Sequence, residues 1–209
     1  IGTKEGVSLL DVKKDSIYDY TKIIGLGRNV RFIYNETPED VWFCSSEGLF
    51  HYNIKESKSE KFNISNGLSD NSVMAIVKDE SNRLWIGTKN GLSIYADKKI
   101  KNLQLPDNYA SNNINFLELD DSDNLWIGTN FGLYQLNILN KDTFEAIDFV
   151  RYSNLDGLKS LECNQNASFI DNENNLWFGT SFGLMKHKLD AEEVMPTFPK
   201  VHIKDIRLF

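Results

Sequence analysis

Four stretches of this 209-residue chain spell almost the same words. LWIGTKNGLSIY (84–95) and LWIGTNFGLYQL (125–136) nearly coincide, and VWFCSSEGLFHY (41–52) and LWFGTSFGLMKH (176–187) are looser copies. A catalytic motif is needed once; a unit of architecture recurs, so the repeat constrains the fold before any single residue does. The copies hold all four tryptophans, Trp42, Trp85, Trp126 and Trp177, at spacings of 43, 41 and 51 residues. IGTKEGVSLLD (1–11) aligns with IGTKNGLSIYA (86–96), so the chain opens inside a further copy, just after the place of its LW pair. It reads as an excerpt from a longer protein.

Inside each period the apolar residues alternate, as strands require. A first strand begins twelve residues before each tryptophan, at Val30, Val73, Ile114 and, more weakly, Gln165. A polar turn follows, and in every copy an acid stands six residues before the tryptophan: Glu36, Asp79, Asp120 and Asp171. Such acids suit turns, because short polar side chains bond nearby amides. The tryptophan strand is second, the third starts at the Gly-Leu pairs, and looser fourth strands fit EKFNI, KKIKNL and AIDFVRY. One such sheet cannot bury both its faces; set side by side around an axis, each covers its neighbour. The expected fold is therefore all-β, a β-propeller of four-stranded antiparallel blades, present as a partial propeller of about four to five blades. A β-sandwich has similar strand spacing but no reason to repeat its sequence. In this reading the tryptophans fill the space between blades, and Gly87, Gly128 and Gly179 leave room where neighbouring backbones approach.

The formal charge of -7 argues against a nucleic-acid backbone or an anionic membrane surface as partner. No apolar run approaches the length of a bilayer span. Two cysteines, Cys44 and Cys163, are too few for a disulfide framework.

GLSDNSVMAIVKDESNRLWIGTKNGLSIY (67–95) resembles the two-component regulator propeller repeat, and the likeness extends over nearly the whole chain. LECNQNASF (161–169) resembles the opening of a closing blade in such sensors, through Glu162, Asn164 and Ala167. FPKVHIKDIRLF (198–209) resembles the lead-in to a following immunoglobulin-like domain, which divides the chain into a propeller at 1–197 and that lead-in at 198–209. Departures such as Cys44-Ser45 for Gly-Thr are expected to weaken individual blades. The resemblance implies the last blades of the periplasmic sensor region of a hybrid two-component histidine kinase and response regulator. By that resemblance the segment is a non-catalytic module responding to oligosaccharides from polysaccharide breakdown. Adjacent propeller and immunoglobulin-like domains would be its partners, in a membrane-anchored parent that dimerises, with a ring of about seven blades. The alternatives are a structural or dimerisation scaffold, or a propeller glycan lyase or hydrolase.

Chemistry finds little footing in the sequence. The loop beginning at Asp121 has acids at its first and third positions but lacks the glycine at its sixth and the oxygen ligands at its fifth and twelfth that a calcium loop requires, and the histidines have no zinc spacing, so neither metal nor cofactor is expected. His51 and His187, late in third strands, are expected to face solvent. Propeller geometry puts the loops entering the first strands and those joining second to third strands on one face. There Arg28, Lys89, Phe131 and Phe182 break the repeated pattern and are the ligand-binding candidates, the cations for acidic sugars and the aromatics for sugar rings.

Overall fold

Each copy of the tryptophan motif folds as a meander, its alternating residues forming strands and its polar runs forming the turns between them. The computed structural model describes residues 1–103, 113–138 and 149–189. Sheet 1 holds β1 (Gly2–Thr3), β2 (Gly6–Asp11) and β3 (Ser16–Asp19). Sheet 2 holds β4 (Val30–Asn35), β5 (Asp40–Ser45), β6 (Gly48–Asn53) and β7 (Lys58–Phe62). Sheet 3 holds β8 (Val73–Lys78), β9 (Leu84–Thr88), β10 (Gly91–Ala96) and β11 (Lys99–Leu103). Sheet 4 holds β12 (Ile114–Leu119), β13 (Asn124–Thr129), β14 (Gly132–Asn137) and β15 (Phe149–Tyr152). Sheet 5 holds β16 (Cys163–Ile170), β17 (Asn175–Thr180) and β18 (Gly183–Lys188). All neighbours are antiparallel and consecutive in the chain, so the protein is a partial β-propeller of five blades. The first sheet, whose copy is expected to open after its LW pair, and the last sheet, for which the sequence offers no fourth strand, have three strands each among the described residues.

Four apolar clusters hold five sheets together, one at each interface between consecutive sheets. Trp42, Trp85 and Trp126 lie in three of them and are buried, while Trp177 on the last sheet is only half-buried. No such cluster joins sheet 5 to sheet 1 among the described residues. Among the described residues the sheets thus form an arc, open between sheet 5 and sheet 1. The expected lead-in at 198–209 lies outside the described residues, as does much of the longer connection expected within 136–158.

The turn between the second and third strands is stapled in the same way in every sheet. Thr88 donates its hydroxyl to the Gly91 carbonyl at 2.8 Å, and Thr129 to Gly132 and Thr180 to Gly183 at 2.9 Å. Ser45 does the same for Gly48 at 2.9 Å, and Cys44 is fully buried, so the Cys-Ser variant keeps the turn that Gly-Thr makes elsewhere. Gly132 sits at φ +126 with the Tyr152 carbonyl 2.6 Å from where a Cβ would stand, a position that excludes a side chain on both counts.

The glycines after the tryptophans meet side chains rather than the backbones expected. A Cβ on Gly87 would lie 2.6 Å from Cγ2 of Ile114 on the next sheet, and one on Gly128 would overlap the Phe116 ring beside it. Phe116 is itself buried and packed on Phe178, so it has nowhere to turn. Gly128→Ala is expected to cost about 2 kcal/mol, as overpacking does, measured by urea unfolding.

Candidate recognition face

At one end of the sheets the entrances to the first strands meet the turns between second and third strands. The pairing of Val30 with Ser45 fixes this, as does that of Val73 with Thr88. At that end every complete first strand carries a bulge. Arg31 in β4, Met74 in β8 and Asn115 in β12 are each one residue too many for the partner strand. In β16 the shift is larger, and residues 164–167 stand between the pairs Cys163–Thr180 and Ser168–Phe178. Bulges re-aim side chains and end regular pairing. Here the bulged residues link one sheet to another. The Arg31 guanidinium donates to Ser72 Oγ and lies 3.2 Å from Met74 Sδ. Asn115 donates to the Cys163 carbonyl at 2.7 Å and to Asn130 at 2.7 Å. Asn166, at φ 49, reaches from sheet 5 to the Arg31 carbonyl of sheet 2 at 3.0 Å.

The result is a polar girdle where four first strands converge. Burial pulls the Arg31 pKa below its ordinary value, with Asp70 opposing it, so the cation is held in a partly dry place. At the entrance to β12 Asn113 donates to Asn115 and Asn130 at 3.1 and 3.3 Å, and its buried Oδ1 has no partner among the described residues.

The four sequence candidates surround this girdle as a rim. Arg28 is exposed, 4.0 Å from the Glu5 carboxylate, and Lys89 is exposed. Phe131 is 37% exposed, and Phe182 is 68% exposed with the Lys159 ammonium 5.8 Å from its ring. No hydrogen bond, ion pair or ring contact joins any two of these four. Arg31, Met74, Asn115 and Asn166 escaped the sequence reading. The signal was present: the second residues of VRFIY, VMAIV and INFLE differ in kind although their neighbours repeat.

The opposite end is structural. The acid six residues before each tryptophan accepts its indole N–H: Glu36 from Trp42 at 2.6 Å, Asp79 from Trp85 and Asp120 from Trp126 at 2.8 Å, Asp171 from Trp177 at 2.6 Å. Asp79, Asp120 and Asp171 also take the backbone amide four residues on, closing the turn. Turn formation, the role read from sequence, is thus half of what these acids do. The indole bond, chiefly, holds the Asp171 carboxyl down at about 2, helped by Asn175 and Glu173. A depressed carboxyl contributes stability above its ordinary value of 3.8 and loses it as pH falls through about 2. Asp171→Asn is expected to flatten the fall in melting temperature across that window, read by thermal unfolding at stepped pH.

The two strand histidines do not face solvent as expected. His51 stacks on Trp42 at 4.4 Å and bonds Asp40 at 2.9 Å. His187 packs between Trp126 and Tyr152 of the preceding sheet, at 5.0 and 5.1 Å, and burial lowers its pKa. Both rings lie where cross-strand and cross-sheet neighbours of a tryptophan must lie.

A cavity of about 370 Å³ beside His51 gathers Glu36, Asp40, Glu60 and Asp97. Glu36 is bound by Trp42 and Lys78, and Asp40 by His51, Asn53 and Thr37, so these two carboxylates already serve protein donors. Among the described residues no three His, Cys, Asp or Glu side chains are grouped to hold a metal. Burial raises both thiols, Cys163 to about 11 and Cys44 further. No described helix is long and apolar enough to cross a membrane.

Residues 41–170 match the family described as TSS9, PorZ, N-terminal beta-propeller domain. No curated protein is significantly similar in sequence. Among solved structures, the extracellular domain of a hybrid two-component system of B. thetaiotaomicron aligns with a TM-score of 0.72 at 23% identity, over 88% of this chain and 25% of that one. PorZ, a surface component of the type-IX secretion system of Porphyromonas gingivalis, aligns at 0.62 and 14% identity, over 90% and 29%. Virginiamycin B lyase of Staphylococcus aureus aligns at 0.60 and 15% identity, over 90% and 64%. The chain thus spans about a quarter of the receptor domain and of PorZ.

Proposed function

This chain belongs to the PorZ N-terminal β-propeller family, and we propose that it is an extracytoplasmic recognition module, a non-catalytic sensor propeller of a hybrid two-component receptor. The observation that carries the reading is the girdle: polar, unlike residues at Arg31, Asn115 and Asn166 set into first strands that otherwise repeat. Arg31 is a half-buried cation at a position where the other copies carry Met74 and Asn115, a cost that the repeat itself does not call for. The likeness of LWIGTKNGLSIY and its copies to the two-component regulator propeller repeat supports the receptor class, and the fold of the B. thetaiotaomicron domain agrees with it. Fold alone does not decide between sensing and catalysis, since a lyase has the same architecture. The engaged carboxylates of the acid-lined cavity favour the non-catalytic reading.

The ligand class is oligosaccharide, with acidic sugars meeting Arg31 at the axis and Arg28 or Lys89 on the rim, and Phe131 or Phe182 lying against sugar rings. Any signal must come from different affinities for two arrangements of the propeller and its neighbouring domains, the immunoglobulin-like domain after 198–209 among them. The parent is membrane-anchored and periplasm-facing in this reading, and dimeric. A glycan array probed with this chain is expected to show preference for anionic oligosaccharides. Arg31→Ala should weaken binding by about tenfold or more, the worth of one charged hydrogen bond, and Lys89→Ala by less. Silence across the array, or binding indifferent to both changes, would overturn the reading.

The family match favours a second reading, that of a surface component of a secretion apparatus. Deleting this region from its parent separates the two: loss of a glycan-induced transcriptional response supports the first, loss of protein export the second.

A further inference from the structure

We propose that the cavity between sheets 2 and 3 binds an alkylguanidinium, the group that ends an arginine side chain. The cavity lies at the end of the sheets away from the recognition face, and its occupant is independent of any ligand there.

Strand pairing sets Trp42, His51 and Glu60 in one row across sheet 2, with Asp40 two residues before Trp42 and so on the same face. The matching row of sheet 3 is Trp85, Ile94 and Lys101, with Arg83 in the place of Asp40. Charge is thus reversed at two matched positions, Asp40 for Arg83 and Glu60 for Lys101. Sheet 3 supplies its tryptophan with a guanidinium of its own. Buried Arg83 donates to Asp79 at 2.5 Å, and its guanidinium lies 5.5 Å from the centre of the Trp85 ring. Sheet 5 also brings a cation to its tryptophan: Lys186, at the place of His51, holds its ammonium 4.9 Å from the Trp177 ring. A ring face beside a carboxylate attracts a cation on both counts. Sheet 2 has acids where sheet 3 has these cations, and a cavity of about 370 Å³ lies beside them.

Glu36, Asp40, Glu60 and Asp97 line that cavity between the rings of His51 and Tyr95, with no lysine or arginine in the lining. Its volume is at the small end of the range for small-molecule pockets, about 300–1,000 Å³. A carboxylate has about four acceptor positions. Asp40 uses three of them, for His51, Asn53 and Thr37, and Glu36 uses two, for Trp42 and Lys78. Among the described residues the side chains of Glu60 and Asp97 have no hydrogen bond or ion pair. Acceptors therefore remain on all four acids. Burial first, then the charges of Glu60 and Glu36, raise the pKa of the Tyr95 hydroxyl, so their field reaches the cavity wall. Among the described residues the acids are not grouped for a metal ion. A guanidinium suits the spread better: it is planar, carries five donors in a fork and stacks on rings.

Titration of the 209-residue chain with agmatine and with acetyl-arginine-methylamide, followed by NMR, tests this. The two probes separate a free metabolite from an arginine side chain as the source. The expected result is a saturable shift at His51, Tyr95 and the Trp42 indole N–H with at least one of them. Acetyl-citrulline-methylamide, the neutral analogue, should bind at least about tenfold more weakly, since it offers no charged hydrogen bond. Glu60→Gln should weaken binding by about tenfold, whereas Glu56→Gln, at an exposed acid outside the cavity, should leave it unchanged. Asp40→Arg, which gives sheet 2 the residue that sheet 3 has, should fill the cavity from within and abolish binding. Glu60→Gln, at an exposed position, keeps the test decisive should Asp40→Arg fail to fold. No saturable shift with either probe, shifts elsewhere, equal binding of the arginine and citrulline derivatives, or equal losses with Glu60→Gln and Glu56→Gln would overturn the proposal.

Discussion

Replacing Trp126 with alanine is expected to lower the stability of the protein by about 4 kcal/mol, the middle of the range for deleting a buried aromatic. The indole is 2% exposed and touches both sheets of its interface, with Tyr152 at 5.6 Å on one side and His187 at 5.0 Å on the other. Its removal takes away transfer energy and leaves a cavity that two β-sheets cannot collapse to fill. Trp177 occupies the same place in its repeat, yet it is half-buried, and the ammonium of Lys186 lies 4.9 Å from its ring. Trp177→Ala should cost only about 1 kcal/mol, because less area leaves water. Urea unfolding of both variants measures the contrast. Equal losses would mean that the tryptophans do not act as wedges between sheets.

Asp120→Ala should be nearly as damaging, about 3 kcal/mol. The carboxylate accepts the Trp126 indole N–H at 2.8 Å and the backbone amides of Ser122 and Asn124 at 2.9 Å, and takes the Asn124 side chain as well. Removing it orphans a buried indole donor and opens the turn between β12 and β13, and hydrogen bonds to a charged group are worth about 1.5–3 kcal/mol each. Asp121→Ala, one residue on and exposed, should change stability by less than about 0.5 kcal/mol. The double variant Asp120→Ala, Trp126→Ala should lose less than the two single losses added, since each removes what the other needs. Strict additivity would separate the acid from the indole.

Much of the fold was legible because the repeat states it four times, and period-two alternation places each strand within a residue or two of where it lies. Register was not legible. The bulges at Arg31, Met74 and Asn115 depend on how many residues one strand spends against its partner, and a single strand carries no count of that. The six-residue separation of acid and tryptophan was visible, but its second role needs the indole to fold back over the turn. The burial of His51 follows from its place opposite Trp42 in a hairpin, a pairing that sequence spacing alone could have located. The burial of His187 needs the neighbouring sheet. Of the candidate site, the rim residues Arg28, Lys89, Phe131 and Phe182 could be named because loops show their departures from the repeat openly. The axial residues hid inside strands.

The central claim is that the tryptophans are equivalent wedges, each tied to a carboxylate, with the deepest burial at Trp85 and Trp126. Hydrogen exchange at the four indole N–H groups, resolved by ¹⁵N labelling, tests it in one sample. The expected result is strong protection at Trp85 and Trp126, which are 1% and 2% exposed, slightly less at Trp42 and least at Trp177. Four indole protons exchanging as fast as those of free tryptophan would contradict it.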